Sequence, residues 1–231
     1  MAMQTDIVIL GSAGGAAYVY DRACSSAFVI LRDGEPELLC DFGYGVMFAL
    51  KEAGLGLPPA AIITHNHSDH AGELPVVLRV EQARGRPLGI VTHPRIEERL
   101  KVHRLAEHAA LFPPDTLARW NTGSRVVEGR WEIRFHEGRH STPCYGFTLH
   151  EDGRCRFGYS SDSTVHAPLY DALGHADVVI FNGRETGNDY HAGFEDLAPY
   201  LTRDRYIIGH GLSDPRDGLP LLFPGDKVRL P

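Results

Sequence analysis

The sequence predicts an α/β protein in which two β-sheets pack together with helices on the outside. Three observations predict it. Short apolar runs with strand character recur through both halves of the chain, separated by Gly, Pro and Asp turns. Helix-like stretches lie among the strands in each half. No internal sequence repeat, low-complexity tract or long linker interrupts the 231 residues, which read as a single domain over 1–231.

In chain order, residues 7–10, 27–31, 37–40 and 61–64 read as strands. Residues 46–53 read as a short helix ended by Gly54. Residues 74–82 form a second helix candidate, and 95–110 a third, amphipathic and charge-rich. The second half repeats the pattern, with strands at 125–127, 131–136, 145–150 and 154–159. The last two flank the turn Asp152-Gly153. Strands at 178–181 and 206–208 follow, a helix at 194–201 lies between them, and 228–230 closes the chain.

Bulk composition narrows the function. Hydrophobic residues make up 43% and charged residues 23%, as in an ordinary globular protein, and the net charge is −7. That charge argues against a protein whose main hold on nucleic acid is electrostatic. The opening residues lack the basic-then-apolar pattern of a signal peptide, and no window has 18 uninterrupted apolar residues. Cys24, Cys40, Cys144 and Cys155 are scattered and form no CxxC pair. A cytoplasmic protein with reduced thiols and no membrane span is expected.

The chemistry concentrates in one segment. The apolar strand at 61–64 runs into His65-Asn66-His67-Ser68-Asp69-His70, which puts three imidazoles and a carboxylate within six residues. Such nitrogen and oxygen donors suit zinc and similar divalent ions. In a strand-to-helix loop, His65 and His67 can point to one side while Asp69 and His70 reach another, so one loop can serve two adjacent metals. A lone histidine is more often a surface or satisfied core residue, whereas four ligands in this order are hard to explain that way. Further donors stand where strands end: His140, Asp162 and His210.

This series resembles the metallo-β-lactamase superfamily, whose ligands run His-x-His-x-Asp-His, then His, Asp and His. The likeness covers nearly the whole chain and is greatest to ribonuclease Z and related phosphodiesterases. Leu10-Gly11-Ser12, Ser25-Ser26, the stretch Leu38-Leu39-Cys40-Asp41-Phe42-Gly43-Tyr44-Gly45 and the segment from His140 to Phe147 all approximate motifs of that branch. Tyr159-Ser160-Ser161-Asp162-Ser163 resembles its Ser-Gly-Asp-Thr, with Ser161 in place of the glycine.

The resemblance implies a four-layer αββα sandwich with the site on one edge between the sheets. It implies that His65, His67 and His140 bind a first metal, that Asp69, His70 and His210 bind a second, and that Asp162 bridges them. Metals about 3.5–4 Å apart can share a hydroxide, formed at neutral pH because coordination lowers the pKa of water. Zinc is the expected ion, with manganese or iron as alternatives. The imidazole of His67, where some iron-binding redox members carry a carboxylate, favours a hydrolase.

Asp69 and His191 are the candidate catalytic side chains. His191 resembles a histidine near the scissile phosphate that protonates the leaving group or stabilises a phosphorane. Asp41 resembles a carboxylate that orients a metal-bound histidine. The other histidines read as ordinary. His103 and His108 face solvent, and His136, His150, His166 and His175 show no partnering pattern. Arg95, Arg99, Lys101 and Arg104 read as a solvated helix face.

Two departures limit the substrate. Ribonuclease Z carries a long tRNA-gripping arm between the third histidine and the bridging aspartate, and the short interval here leaves room only for a hairpin. Its His-Glu-Ala-Thr stretch is replaced by Phe181-Asn182-Gly183-Arg184. The expected activity is therefore hydrolysis of a small or short-oligonucleotide phosphodiester. A lactone, ester or thioester hydrolase is the alternative, and a metal-retaining sensor the non-catalytic one. A homodimer is implied by the resemblance alone.

Overall fold

The structure is a computed structural model that describes residues 4–15, 17–211 and 214–231. The single-domain bounds 1–231 therefore include positions outside the described residues. The first sheet contains β1 (Thr5–Gly11), β2 (Ala27–Arg32), β3 (Glu35–Cys40), β4 (Ala60–Ile63), β5 (Gly89–Thr92), β6 (Arg119–Thr122) and β14 (Lys227–Leu230). The second contains β7 (Arg125–Glu128), β8 (Trp131–Glu137), β9 (Tyr145–Glu151), β10 (Arg154–Tyr159), β11 (Val178–Gly183), β12 (Arg205–Gly209) and β13 (Leu221–Leu222). The helices are α1 (Ala17–Asp21), α2 (Val46–Glu52), α3 (Ser68–Ala71), α4 (Leu74–Ala83), α5 (Pro94–Arg99), α6 (Pro114–Leu117), α7 (Ala167–Gly174) and α8 (Phe194–Leu197).

The two sheets have the same wiring. One runs β14-β1-β2-β3-β4-β5-β6 and the other β7-β8-β9-β10-β11-β12-β13. In each, an antiparallel meander turns into a parallel set, at β3–β4 in the first and at β10–β11 in the second. The sequence shows no repeat, so this is a likeness of topology carried by different residues. It matters for function because the strands on which the site depends end at one edge of the sandwich.

Burial follows position in the sheets. β2 and β11 lie centrally, are covered on both faces, and are correspondingly continuous apolar runs. β8 alternates buried and partly exposed side chains with a period of two. Between the sheets, Phe28 meets Phe157 and Tyr159 edge-on, with ring centroids 5.5 and 5.0 Å apart. Those rings belong to the main core, to which α2 adds Val46 and Leu50 and α4 adds Leu74 and Leu78. A second cluster under α7 and α8 holds Leu169, Tyr170, Leu173, Phe181 and Leu197. The result is the αββα sandwich.

Several elements differ from the sequence expectation. The helix expected over 95–110 is α5 followed by a π-helical turn (Leu100–Arg104) and a 3-10 turn (Ala106–His108). The helix expected over 194–201 is α8 followed by a 3-10 turn (Ala198–Tyr200). β6, β13 and α7 were not anticipated. The interval between His140 and Asp162 is filled by the β9–β10 hairpin, as expected.

Candidate metal centre

β4 delivers His65 to the site edge, and α3 begins at once, so His67 to His70 curl back beneath it. The Asp41-to-Gly45 motif explains how the loop is held. Asp41, fully buried at φ 65, accepts hydrogen bonds from the Thr64 backbone N–H at 2.8 Å and the Thr64 hydroxyl at 2.9 Å. It also pairs with His70 Nδ1 at 2.7 Å. A Cβ on Gly43 would stand 1.8 Å from the Asp69 carbonyl oxygen, so only glycine lets the loop pack this closely. Gly45, at φ 86, turns the chain into α2.

Because the Thr64 hydroxyl donates to Asp41, it accepts from His65 Nδ1, 3.1 Å away. One carboxylate thereby orients two imidazoles, His70 directly and His65 through Thr64. Both rings then turn Nε2 towards the site.

The second sheet supplies single residues from separate loops. His140 follows β8, Asp162 follows β10 and His210 follows β12. The Asp162 Oδ2 atom lies 3.4 Å from His70 Nε2, 3.7 Å from His210 Nε2 and 3.8 Å from both His65 Nε2 and His191 Nδ1. His210 Nε2 also stands 3.6 Å from Asp69 Oδ2. His140 Nε2 is 3.0 Å from His67 Nδ1, and its other ring nitrogen donates to the Tyr190 carbonyl at 3.1 Å.

All seven expected ligands converge. They fall into a group of His65, His67 and His140 and a group of Asp69, His70, Asp162 and His210, with ligand atoms within 4.8 Å of one another in each. The donor set fits divalent metal ions on a second ground. His65 Nε2, His70 Nε2 and both Asp162 oxygens are buried with no hydrogen-bond partner, an arrangement that is costly unless something else fills it.

Electrostatics agree. Burial pushes Asp162 up, but His210, His70 and His65 outweigh it and hold the carboxyl well below its ordinary range. Burial pushes His70 down, yet the Asp162 and Asp41 carboxylates hold it well above the ordinary histidine value. His65 is driven well below that value by burial and then by His70. Burial also lowers His67 and His140. The metal-free centre thus pairs an ionised Asp162 with a protonated His70 beside neutral His65, His67 and His140, and His70 releases its proton when Nε2 takes a metal.

His191 lies inside this cluster, its side chain 11% exposed and its ring 4.6 Å from that of His210 and 4.9 Å from that of His140. Burial, against the pull of Asp162, pushes it down to about 4, so the expected protonated imidazole is neutral near pH 7 in the metal-free protein. Asn188 holds its loop by accepting from the backbone N–H groups of Tyr190 and His191 at 2.9 and 3.0 Å. A cleft of about 370 Å³ opens beside His140, walled by Arg139, Ser141 and Tyr190.

Sequence reading missed several supports and misread some side chains. Thr64 and the Tyr190 carbonyl orient two of the histidines, and only their adjacency to His65 and His191 hinted at it. Arg104 is no solvated charge. It donates to Asn66 Oδ1 at 2.9 Å, the Asn66 carbonyl at 2.7 Å and Ser68 Oγ at 3.0 Å. Arg95 pairs with Glu137, and Lys101 with Glu97. His108 is partly buried against the Pro75 carbonyl rather than facing solvent. His136 and His150 both hydrogen-bond to Thr148.

This topology and centre are those of the metallo-β-lactamase superfamily, on its ribonuclease Z-like branch. The chain belongs to the family described as anti-Pycsar protein Apyc1, whose model matches residues 5–208. It is 24% identical over 203 residues to a ribonuclease Z of Clostridium botulinum (strain Eklund 17B / Type B), covering 78% of this chain and 62% of that one. The chain thus spans about three fifths of the length of that curated relative.

Among solved structures, the metallo-β-lactamase fold protein YhfI of Bacillus subtilis superposes with a TM-score of 0.75 at 14% identity, covering 98% of this chain and 99% of the other. The short form of human tRNase Z superposes with a TM-score of 0.72 at 19% identity over 98% and 99% of the two chains.

Proposed function

We propose that this protein is a metal-dependent hydrolase that cleaves phosphodiesters in a small molecule or a short oligonucleotide. The observation that carries the reading is Asp162. Its two buried oxygens lack hydrogen-bond partners, and Oδ2 faces four imidazole nitrogens across 3.4 to 3.8 Å. His65, His67 and His140 would hold one divalent ion, Asp69, His70 and His210 a second, and Asp162 both. Zinc is the ion that best suits these donors, and manganese or iron can occupy similar ones. Bound there, such ions supply Lewis-acid stabilisation of developing charge and a nucleophile at neutral pH.

The chain's own residues do the rest. Asp41 and Thr64 fix the tautomers of His70 and His65. Asp69 serves as a ligand beside the reacting centre. His191, held by the Asn188 turn, offers a ring N–H to a phosphate oxygen or leaving group. Arg139 and Tyr190, in the cleft beside His140, border the space open to substrate. The relatives named ribonuclease Z and tRNase Z support phosphorus over carbon as the electrophile. The hairpin in place of an arm supports a small substrate over tRNA.

Four unpaired thiols support a reducing compartment, the cytoplasm. No helix among the described residues is long and apolar enough to cross a membrane. Val76 and Val80, exposed one turn apart on α4, support a homodimer, which sedimentation tests directly. The test of function is a rate panel on bis-p-nitrophenyl phosphate, an unactivated dinucleotide, a homoserine lactone and a thioester, alongside metal analysis. Turnover confined to the carbonyl substrates would replace this reading with an ester or lactone hydrolase. Bound metal with no turnover on any would favour a sensor.

A further inference from the structure

We infer that Arg104 is a positioning residue for the metal-binding loop, and that the π-helical turn exists to aim it there. The ligands of the loop alternate with Asn66 and Ser68. Those two spacers are the residues that the Arg104 guanidinium grips, through Nε to Asn66 Oδ1 and through Nη2 to the Asn66 carbonyl and Ser68 Oγ. A planar fork with fixed donor directions sets the path of the backbone between His65 and Asp69 in a way that a single flexible ammonium cannot. The clamp comes from outside the loop and touches none of the proposed ligands.

The π turn accounts for the aim. Leu100 and Leu105 are both fully buried, yet positions five apart lie about 140° apart around an ideal α-helix. The backbone N–H of Leu105 bonds to the carbonyl of Leu100 at 3.0 Å, the π-type closure. This widened turn lets both leucines face the core and brings Arg104, between them in sequence, over the loop. Val102 is left exposed on the other side. An uninterrupted α-helix would turn Leu105 about 140° away from Leu100, so the core could not take both leucines. π turns are uncommon and recur at functional sites.

The inference rests on the metal-binding reading, and the experiment separates the two. Purified protein is stripped of metal and titrated with Zn²⁺ against a chromophoric chelator, and melting of the stripped protein is followed in parallel. Arg104→Ala is expected to weaken zinc binding roughly ten- to hundredfold, the usual cost of losing a group that orients ligands. Arg104→Lys should recover only part of the loss, and Asn66→Ala should reproduce part of it. Arg99→Ala, one turn earlier, should stay within about twofold of wild type.

Wild-type affinity in Arg104→Ala overturns the inference. So does an equal loss in Arg99→Ala, which would mark general destabilisation of the segment. If Arg104→Ala does not fold, Arg104→Lys and Asn66→Ala decide by the same criterion. Failure of the wild type itself to bind zinc would strike at the metal reading instead.

Discussion

The two sheets share a wiring diagram and divide the work unequally. By register, Asp41 after β3 corresponds to Ser160 after β10. Each donates its backbone N–H to the neighbouring parallel strand, Asp41 to the Ile62 carbonyl and Ser160 to the Ile180 carbonyl. Each then accepts, through a side-chain oxygen, a backbone N–H two residues further along that strand, from Thr64 and from Asn182. In the first half this device holds a loop that carries four of the proposed ligands. In the second half the corresponding strand ends in Asn182-Gly183, and the proposed ligands come singly from the loops after β8, β10 and β12. One half concentrates donors in a short loop, while the other spreads them over three strand ends and supplies the carboxylate between them.

The largest effect should come from breaking that division at its centre. Asp162→Ala removes the one carboxylate from the second half that faces histidines of both. It is expected to abolish hydrolysis of bis-p-nitrophenyl phosphate and to deplete bound metal. Asp41→Ala removes an orienting group of the first half and should cost about 10–100-fold while leaving metal detectable. Initial rates and elemental analysis on both variants make the comparison. Equal and mild losses would mean that the halves do not differ in this way.

That asymmetry governs what the sequence could reveal. The loop from His65 to His70 is legible because its four donors are contiguous and follow a clear strand. His140, Asp162 and His210 are each unremarkable alone, and become readable only through their order and strand-end context. The covered central strands β2 and β11 stand out as apolar runs, whereas β6, Arg119-Trp120-Asn121-Thr122, contains no apolar run and β13 has only two residues. The π turn has no sequence signature, so Arg104 looked like one charge in a helical stripe. Its role depends on a local change of helical pitch, which arises from packing Leu100 and Leu105 together.

The next effect concerns His191, which the loop beyond β11 sets against His140, Asp162 and His210 of the second half. A neutral ring donating a hydrogen bond to a phosphate oxygen stabilises charge whatever the leaving group. His191→Ala should then slow bis-p-nitrophenyl phosphate and an unactivated diester about equally, by roughly 10²–10³-fold, as for other single donors to a developing oxyanion. The comparison is made at matched metal occupancy. A loss much greater on the unactivated diester would restore the general-acid role.

A smaller difference lies in acid sensitivity. In β1 and β2 the paired Ile7–Ile30 and Val8–Val29 positions are apolar and buried. In β8 and β9, His136 and His150 flank Thr148 at 3.0 Å each. Burial, with His150 and Arg134 nearby, pushes His136 down to about 4, against about 6.5 when unfolded. Above pH 6.5 the ring is neutral in both states and its contribution is intact. As pH falls from 6.5 towards 4, only the unfolded chain gains the proton, so stability is lost across that window. Metal-stripped wild type should therefore lose a few degrees more in Tm between pH 7 and pH 5 than His136→Gln, at about 2–4 °C per kcal/mol for a chain of this size. Parallel melting curves would locate the acid sensitivity elsewhere.

The smallest effect is expected at Ser161, where the second half departs both from the family pattern and from the first half. The resembling motif has glycine there, and the backbone shows why, since Ser161 sits at φ 53. An L-residue in that region carries a steric cost of about 1–2 kcal/mol that glycine lacks. Asp41 also has a positive φ, but its carboxylate orients two histidines, and aspartate tolerates the conformation better than most residues. Ser161 has only a weak tie, its hydroxyl 3.3 Å from the buried Cys144 thiol. Glycine would relieve the strain, lose that tie and gain entropy in the unfolded chain. These terms nearly cancel, leaving a change within about 1 kcal/mol. Ser161→Gly should thus melt within about 4 °C of wild type and keep its zinc affinity, whereas Asp41→Gly should lose affinity strongly. A collapse of zinc binding in Ser161→Gly would show that the Ser161–Cys144 contact helps to hold Asp162 in place, and that the second half, too, depends on an orienting side chain behind its ligand.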